Sequence, residues 1–262
     1  MEIARQAHYK QAWVIAVSMG YGHQRTAYPL RHLAFGGKVI NANDYEGIPQ
    51  KDKNVWENSR KFYEFISRVK RIPIVGNAVF TIFDKFQEIM SYYPKRDLSK
   101  PNIQLKQIYS LIKNGWGKHL VEELKIQNLK SKAALPIITT FFIPAFMAEH
   151  FNYPGDIYCI VCDADISRTW APPDPARSRI KYFAPTARAA ERLKFYGVKP
   201  ENIFSTGYPL PIENIGDESM ALLKEDLKSR LLNLDPKGKY CENTKSWCKM
   251  PWASSRQNQI IH

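Results

Sequence analysis

An apolar run from Trp13 to Val17 stops at Gly20-Tyr21-Gly22-His23, and the residues beyond it set Ala27, Leu30 and Ala34 on one face at helical spacing. A buried strand, a glycine turn and a helix make the opening of a βα unit. The glycines let backbone approach a ligand closely, and a helix N-terminus offers free N–H groups and a positive dipole end. One histidine, His23, stands at that mouth. A dinucleotide fingerprint is excluded, because Arg25 occupies the third glycine position of G-x-G-x-x-G. A Walker loop is absent altogether.

Further along, apolar runs and helical patterns alternate. Strands are expected at 12–17, 38–41, 136–140, 156–162, 180–184 and 202–205, with Asp44 in a loop after the second. Helices are expected at 24–35, 55–70, 76–93, 103–131, 144–151, 186–196 and 217–233. This alternation predicts an α/β fold, a Rossmann-like, doubly wound and mainly parallel sheet. Such sheets bind ligands at the carboxyl ends of their strands, where the polar motifs of this chain fall.

With 262 residues, 44% of them hydrophobic, the chain has the material for a sizeable core. No apolar run is long enough to span a bilayer, and the polar N-terminus lacks the apolar region of a signal peptide, so neither feature is expected. Cys159 and Cys162 lie on a buried strand and Cys241 and Cys248 in a polar tail. Neither pair has zinc partners, and both read as reduced cytosolic thiols. A net charge of +13 suits nucleic acid, anionic membranes or phosphate-rich substrates. Over 56–93 basic residues (Arg60, Lys61, Arg68, Lys70, Arg71) adjoin an amphipathic pattern (Val75, Val79, Ile82, Phe83, Phe86, Ile89, Met90). That fits an anionic bilayer surface or a lipid groove, and equally two core-facing helices with a solvated basic face. The aromatic and GxxG signatures of RNA binders are missing, so no nucleic-acid partner is expected.

Two motifs together resemble a known family. The first is the GYGH loop. The second runs from Lys181-Tyr182-Phe183-Ala184-Pro185-Thr186 through an amphipathic helix stopped at Gly197, past Lys199-Pro200, to Ile203-Phe204-Ser205-Thr206-Gly207-Tyr208-Pro209-Leu210-Pro211. Their order and spacing resemble the N-terminal, acceptor-binding domain of GT-B glycosyltransferases, in particular the monogalactosyldiacylglycerol synthase and lipid II N-acetylglucosaminyltransferase relatives. The resemblance covers roughly residues 12–235. It implies an acceptor domain over 1–235 that handles a lipid or polyprenyl-phosphate acceptor at the inner face of a cell membrane, with a nucleotide-sugar as co-substrate and no other cofactor. The family would continue with a glycine-rich donor domain. Residues 236–262 instead show no periodicity and read as an irregular, truncated tail, so a separate donor-binding domain or subunit is an expected partner.

The resemblance gives His23 the task of activating the acceptor hydroxyl, which a neutral imidazole suits. Gly20, Tyr21 and Gly22 shape the loop, Arg25 is positioned to meet a phosphate or remains a surface side chain, and Gly207 closes the second motif. Asp163 and Asp165 leave the strand at 156–162 with their side chains expected in one cleft. Asp163 is the second catalytic candidate, or the cap of a turn; Asp165 and Trp170 are expected to shape the acceptor pocket. The related synthases carry Thr-Asp here, and Cys162 replaces that threonine. Asp-x-Asp after a buried strand also resembles the metal site of GT-A glycosyltransferases, although no metal is assigned. A non-catalytic lipid- or glycolipid-binding module is the alternative from another class.

Overall fold

The computed structural model describes residues 11–69, 89, 97–131 and 134–234. Six short strands form one sheet: β1 (Trp13–Ala16), β2 (Ile40–Asn41), β3 (Ile137–Thr139), β4 (Ile157–Ile160), β5 (Lys181–Ala184) and β6 (Ile203–Ser205). Their order is β2-β1-β3-β4-β5-β6, and every neighbouring pair is parallel. The fold is therefore α/β, all-parallel and doubly wound. The chain leaves β1 toward β2 on one side and returns to place β3 on the other, so the direction of winding reverses between β1 and β3. A crevice opens at the carboxyl ends of the strands beside such a reversal.

Alternation along β1 divides the core between the two faces of the sheet. Trp13, Ile15 and Val17 join the larger cluster, with Leu105, Ile112, Leu124 and Phe146 from the helices on that side. Val14 and Ala16 pack on the opposite face against Ala27 and Ala34. The larger face belongs to α2 (Gln50–Val69), α3 (Ile103–Lys113), α4 (Lys118–Ser131) and α5 (Phe142–His150). A buried polar chain pins it to β1: the Trp13 indole donates to Asn128 Oδ1 (2.9 Å), and Asn128 Nδ2 donates to the Tyr153 hydroxyl (2.9 Å).

Two expected helices differ in form. The helix expected at 24–35 is a seven-residue α-helix, α1 (Tyr21–Ala27), followed by a 3₁₀ segment, Tyr28–Leu33. Pro29 accounts for the change, since it lacks an N–H and its ring crowds the carbonyl four residues back. The single helix expected over 103–131 divides into α3 and α4 at Asn114–Gly117, where Gly115 (φ +95°) and Gly117 (φ +82°) are left-handed. At Gly117 a Cβ would also collide with the Met147 side chain, and the Gly117 N–H is held by the buried Asp52 carboxylate at 3.0 Å. The chain forms two compact units, Met1–Pro209 and Leu210–His262. The first ends with α6 (Ala187–Phe195), β6 and the Thr206–Pro209 exit. The second includes the short α7 (Ile212–Ile215) and α8 (Ala221–Leu234), so the boundary expected at 235 falls inside it. Residues 235–262 and most of the helix expected at 76–93 lie outside the described residues.

Candidate functional site

The β1 exit begins with Gly20 at φ 123°, ψ 159°, a conformation essentially reserved for glycine. It turns the chain into α1 and brings His23 back across the winding reversal to the end of β3. There His23 Nδ1 lies 2.8 Å from the Thr140 carbonyl oxygen, and the Thr140 hydroxyl returns a bond to the His23 carbonyl at 3.0 Å. A carbonyl oxygen only accepts, so Nδ1 carries the proton. In the neutral ring Nε2 therefore keeps its lone pair.

Electrostatics keep that ring neutral. Burial holds the His23 pKa below its ordinary value of 6.5, against the opposing pull of the Thr140 carbonyl and of Asp163. Asp163 is shifted the other way: partial desolvation raises its pKa, and the nearby His23 draws it back. His23 and Asp163 thus lie near enough for each charge to act on the other.

Three residues absent from the sequence-derived site help to build it. Thr140 orients the imidazole. Phe141 sets its ring edge-on to His23 at 4.7 Å. Tyr208, from the exit of β6, lies 2.5 Å from the Thr26 hydroxyl, which donates to the Gly22 carbonyl at 2.8 Å. Tyr208 is thereby the donor to Thr26, and the segment after β6 is tied to the base of the His23 loop. Cys162 also donates to Thr140 O, at 3.0 Å, so it fills the donor role open to a threonine. Burial pushes its thiol pKa up to about 11, which keeps that donor protonated. Cys159 is wholly buried, which raises its thiol pKa as well, and both thiols are free.

The other expected site residues separate. Gly22 has an ordinary φ, and a Cβ built on it meets no atom within 4 Å. Neither backbone geometry nor packing therefore requires glycine there, and the space above it is open. Gly207 is left-handed (φ +76°) and equally open. Tyr21 is 80% exposed; Arg25 is exposed and makes no ion pair among the described residues. Asp165 is engaged by the helix that follows β5. It is gripped by Arg188 Nε (2.6 Å) and Arg192 Nε (2.9 Å) and accepts from the Ile166 N–H (2.9 Å). Trp170 is 5% exposed, packed on Phe142 at 5.2 Å and Phe141 at 6.4 Å, so it supports the wall behind His23 from the core. Within 56–93, Trp56 is buried against Trp116 (4.7 Å).

The chain matches no known family, curated protein or solved structure. The assignment of chemistry therefore rests on this geometry and on the motifs themselves. No described helix is long and apolar enough to cross a membrane, and the described residues hold no cluster of three or more metal-ligating side chains.

Proposed function

We propose that this chain is the acceptor-binding part of a GT-B-type glycosyltransferase, which transfers a sugar from a nucleotide-sugar to a hydroxyl of a lipid or polyprenyl-linked acceptor at a membrane surface. One observation carries the reading: a neutral imidazole at the winding reversal, its Nδ1–H committed to Thr140 O and its Nε2 left as a base. In the reaction, the acceptor oxygen attacks the anomeric carbon and the bond to the nucleotide diphosphate breaks. The acceptor proton passes to Nε2, and Asp163 stabilises the imidazolium that results. Open space above Gly22 gives the acceptor backbone-close access. The net charge of +13 favours approach to anionic surfaces.

The metal-dependent GT-A reading needs both carboxylates of Asp163-Ala164-Asp165 turned to one cation. Two arginines already neutralise Asp165, which argues against that reading. The decisive experiment mixes the chain with a donor-binding partner domain, radiolabelled nucleotide-sugars and a panel of diacylglycerol and polyprenyl-phosphate acceptors. Transfer that falls by about 10² or more in His23→Ala is expected, the scale of a lost general base. Transfer indifferent to His23 would remove the proposal.

A further inference from the structure

A second polar feature lies beside the His23 loop, at the edge of the sheet the mechanism does not use. A cleft of about 160 Å³ opens between the exits of β1 and β2 and the first half of α2, lined by Ser18, Asn41, Asn43, Asp44, Lys53, Trp56, Glu57 and Arg60. We propose that this cleft binds a neutral, polyhydroxylated group, a single sugar ring or polyol, that belongs to the acceptor whose hydroxyl His23 activates. In that last clause it rests on the glycosyltransferase reading.

Size, charge and an unmet hydrogen bond support it. Sites for drug-sized ligands occupy about 300–1,000 Å³, so this cleft suits one small ring and is too small for a nucleotide. Its charged residues are two carboxylates (Asp44, Glu57) and two cations (Lys53, Arg60), and Lys53 already bridges Asp44 at 3.1 Å. In a chain of net charge +13 this lining has no positive excess, so a phosphate gains little there. Asn41 Oδ1 is buried with no hydrogen-bond partner, a state that a native structure rarely leaves unrelieved. A turn of its amide toward the cleft would let it accept from a hydroxyl. Asn43 Oδ1 is fixed by the Ser18 N–H at 2.8 Å, and Trp56 supplies an apolar flank. Ser18 also touches Gln24 of α1 (3.3 Å), which joins the cleft to the helix that carries His23.

The test titrates the full chain, labelled with ¹⁵N, with methyl β-D-glucopyranoside, myo-inositol and, separately, inorganic phosphate. Either polyol should shift the Trp56 indole resonance, identified through Trp56→Phe, and phosphate should not. Asn41→Ala and Glu57→Gln should each weaken polyol binding about tenfold, the equivalent of one hydrogen bond. Asn41 lies on a strand, whereas the Glu57 side chain is part-exposed on α2; a misfolded Asn41→Ala therefore leaves Glu57→Gln to decide. His23→Ala should bind the polyol unchanged. The binding readout uses no nucleotide-sugar, so loss of the transferase reading leaves it intact. Phosphate shifting Trp56 in preference to both polyols, or no ligand shifting it, overturns the proposal.

Discussion

Asp163 and Asp165 leave the same strand two residues apart and reach opposite electrostatic states. Asp163 stands at the mouth of the His23 loop with its pKa raised by partial desolvation. Asp165 is held below the usual carboxylate range by its hydrogen bonds and charge contacts with Arg192 and Arg188, which outweigh its desolvation. Arg192, 1% exposed, needs that carboxylate, because a buried guanidinium without a counter-charge is costly. The region around Asp165 is thus an anchor that fixes α6 to the β4 exit, while the region around Asp163 keeps a charge able to respond to a bound ligand. Spacing alone makes the two carboxylates equivalent; their partners lower the pKa of one and leave the other raised beside an imidazole.

The contrast can be broken most directly by Asp165→Ala. It takes a bonded carboxylate away from a buried arginine, and urea unfolding should show a loss of about 3–5 kcal/mol. A loss near zero would mean that the anchor is only a surface pair. Next in size is Gly20→Ala. Its Cβ meets no neighbour, so the cost is purely the backbone's, about 1–3 kcal/mol by the same measurement. Gly22→Ala should instead be neutral or stabilising by up to about 1 kcal/mol, since alanine suits an exposed helical position, yet it should weaken acceptor binding. A Gly22→Ala chain with unchanged affinity for the proposed acceptor would show that the open space serves no ligand.

The smallest effects are in pH. A buried base with a lowered pKa holds fewer protons folded than unfolded, so His23 contributes stability that is present above pH 6.5 and is lost as pH falls through its folded value. Thermal melts from pH 7.5 downward should lose this slope in His23→Gln. Asp163→Asn removes the charge that favours the imidazolium, so the acidic limb of kcat/KM should move to lower pH. A limb that stays in place would show that Asp163 is not coupled to His23.

Much of this architecture is legible from the residues. Short apolar runs mark the strands, and the central β1 is buried at every position as a parallel strand covered on both faces should be, whereas the edge strands β2 and β6 are only partly buried. The turn at Gly20 and the cap by Thr186, which accepts from the Ala189 N–H at 3.0 Å, follow from local chemistry. Thr140, Phe141 and Tyr208 are not legible in that way, since their roles depend on β3 lying beside β1 and on where the β6 exit returns. Strand order is a property of the whole sheet. The fate of Asp165 left one trace: Arg188 and Arg192, four apart on one helical face, call for a shared acid. Asn41 left none, because an asparagine that ends a short strand reads simply as the start of a turn.

The order of the strands has a consequence for how the protein is made. β1 is made well before its partner β3 and its polar clasp; the Trp13 indole waits for Asn128, 115 positions downstream. At synthesis rates of about 5–20 residues per second, that delay is on the order of ten seconds. Through it, the fully buried β1 has only the two-residue β2, among the described strands, to pair with. The central strand that makes the crevice possible is therefore also the segment most exposed to misassociation during synthesis, and the one a chaperone would be expected to shield.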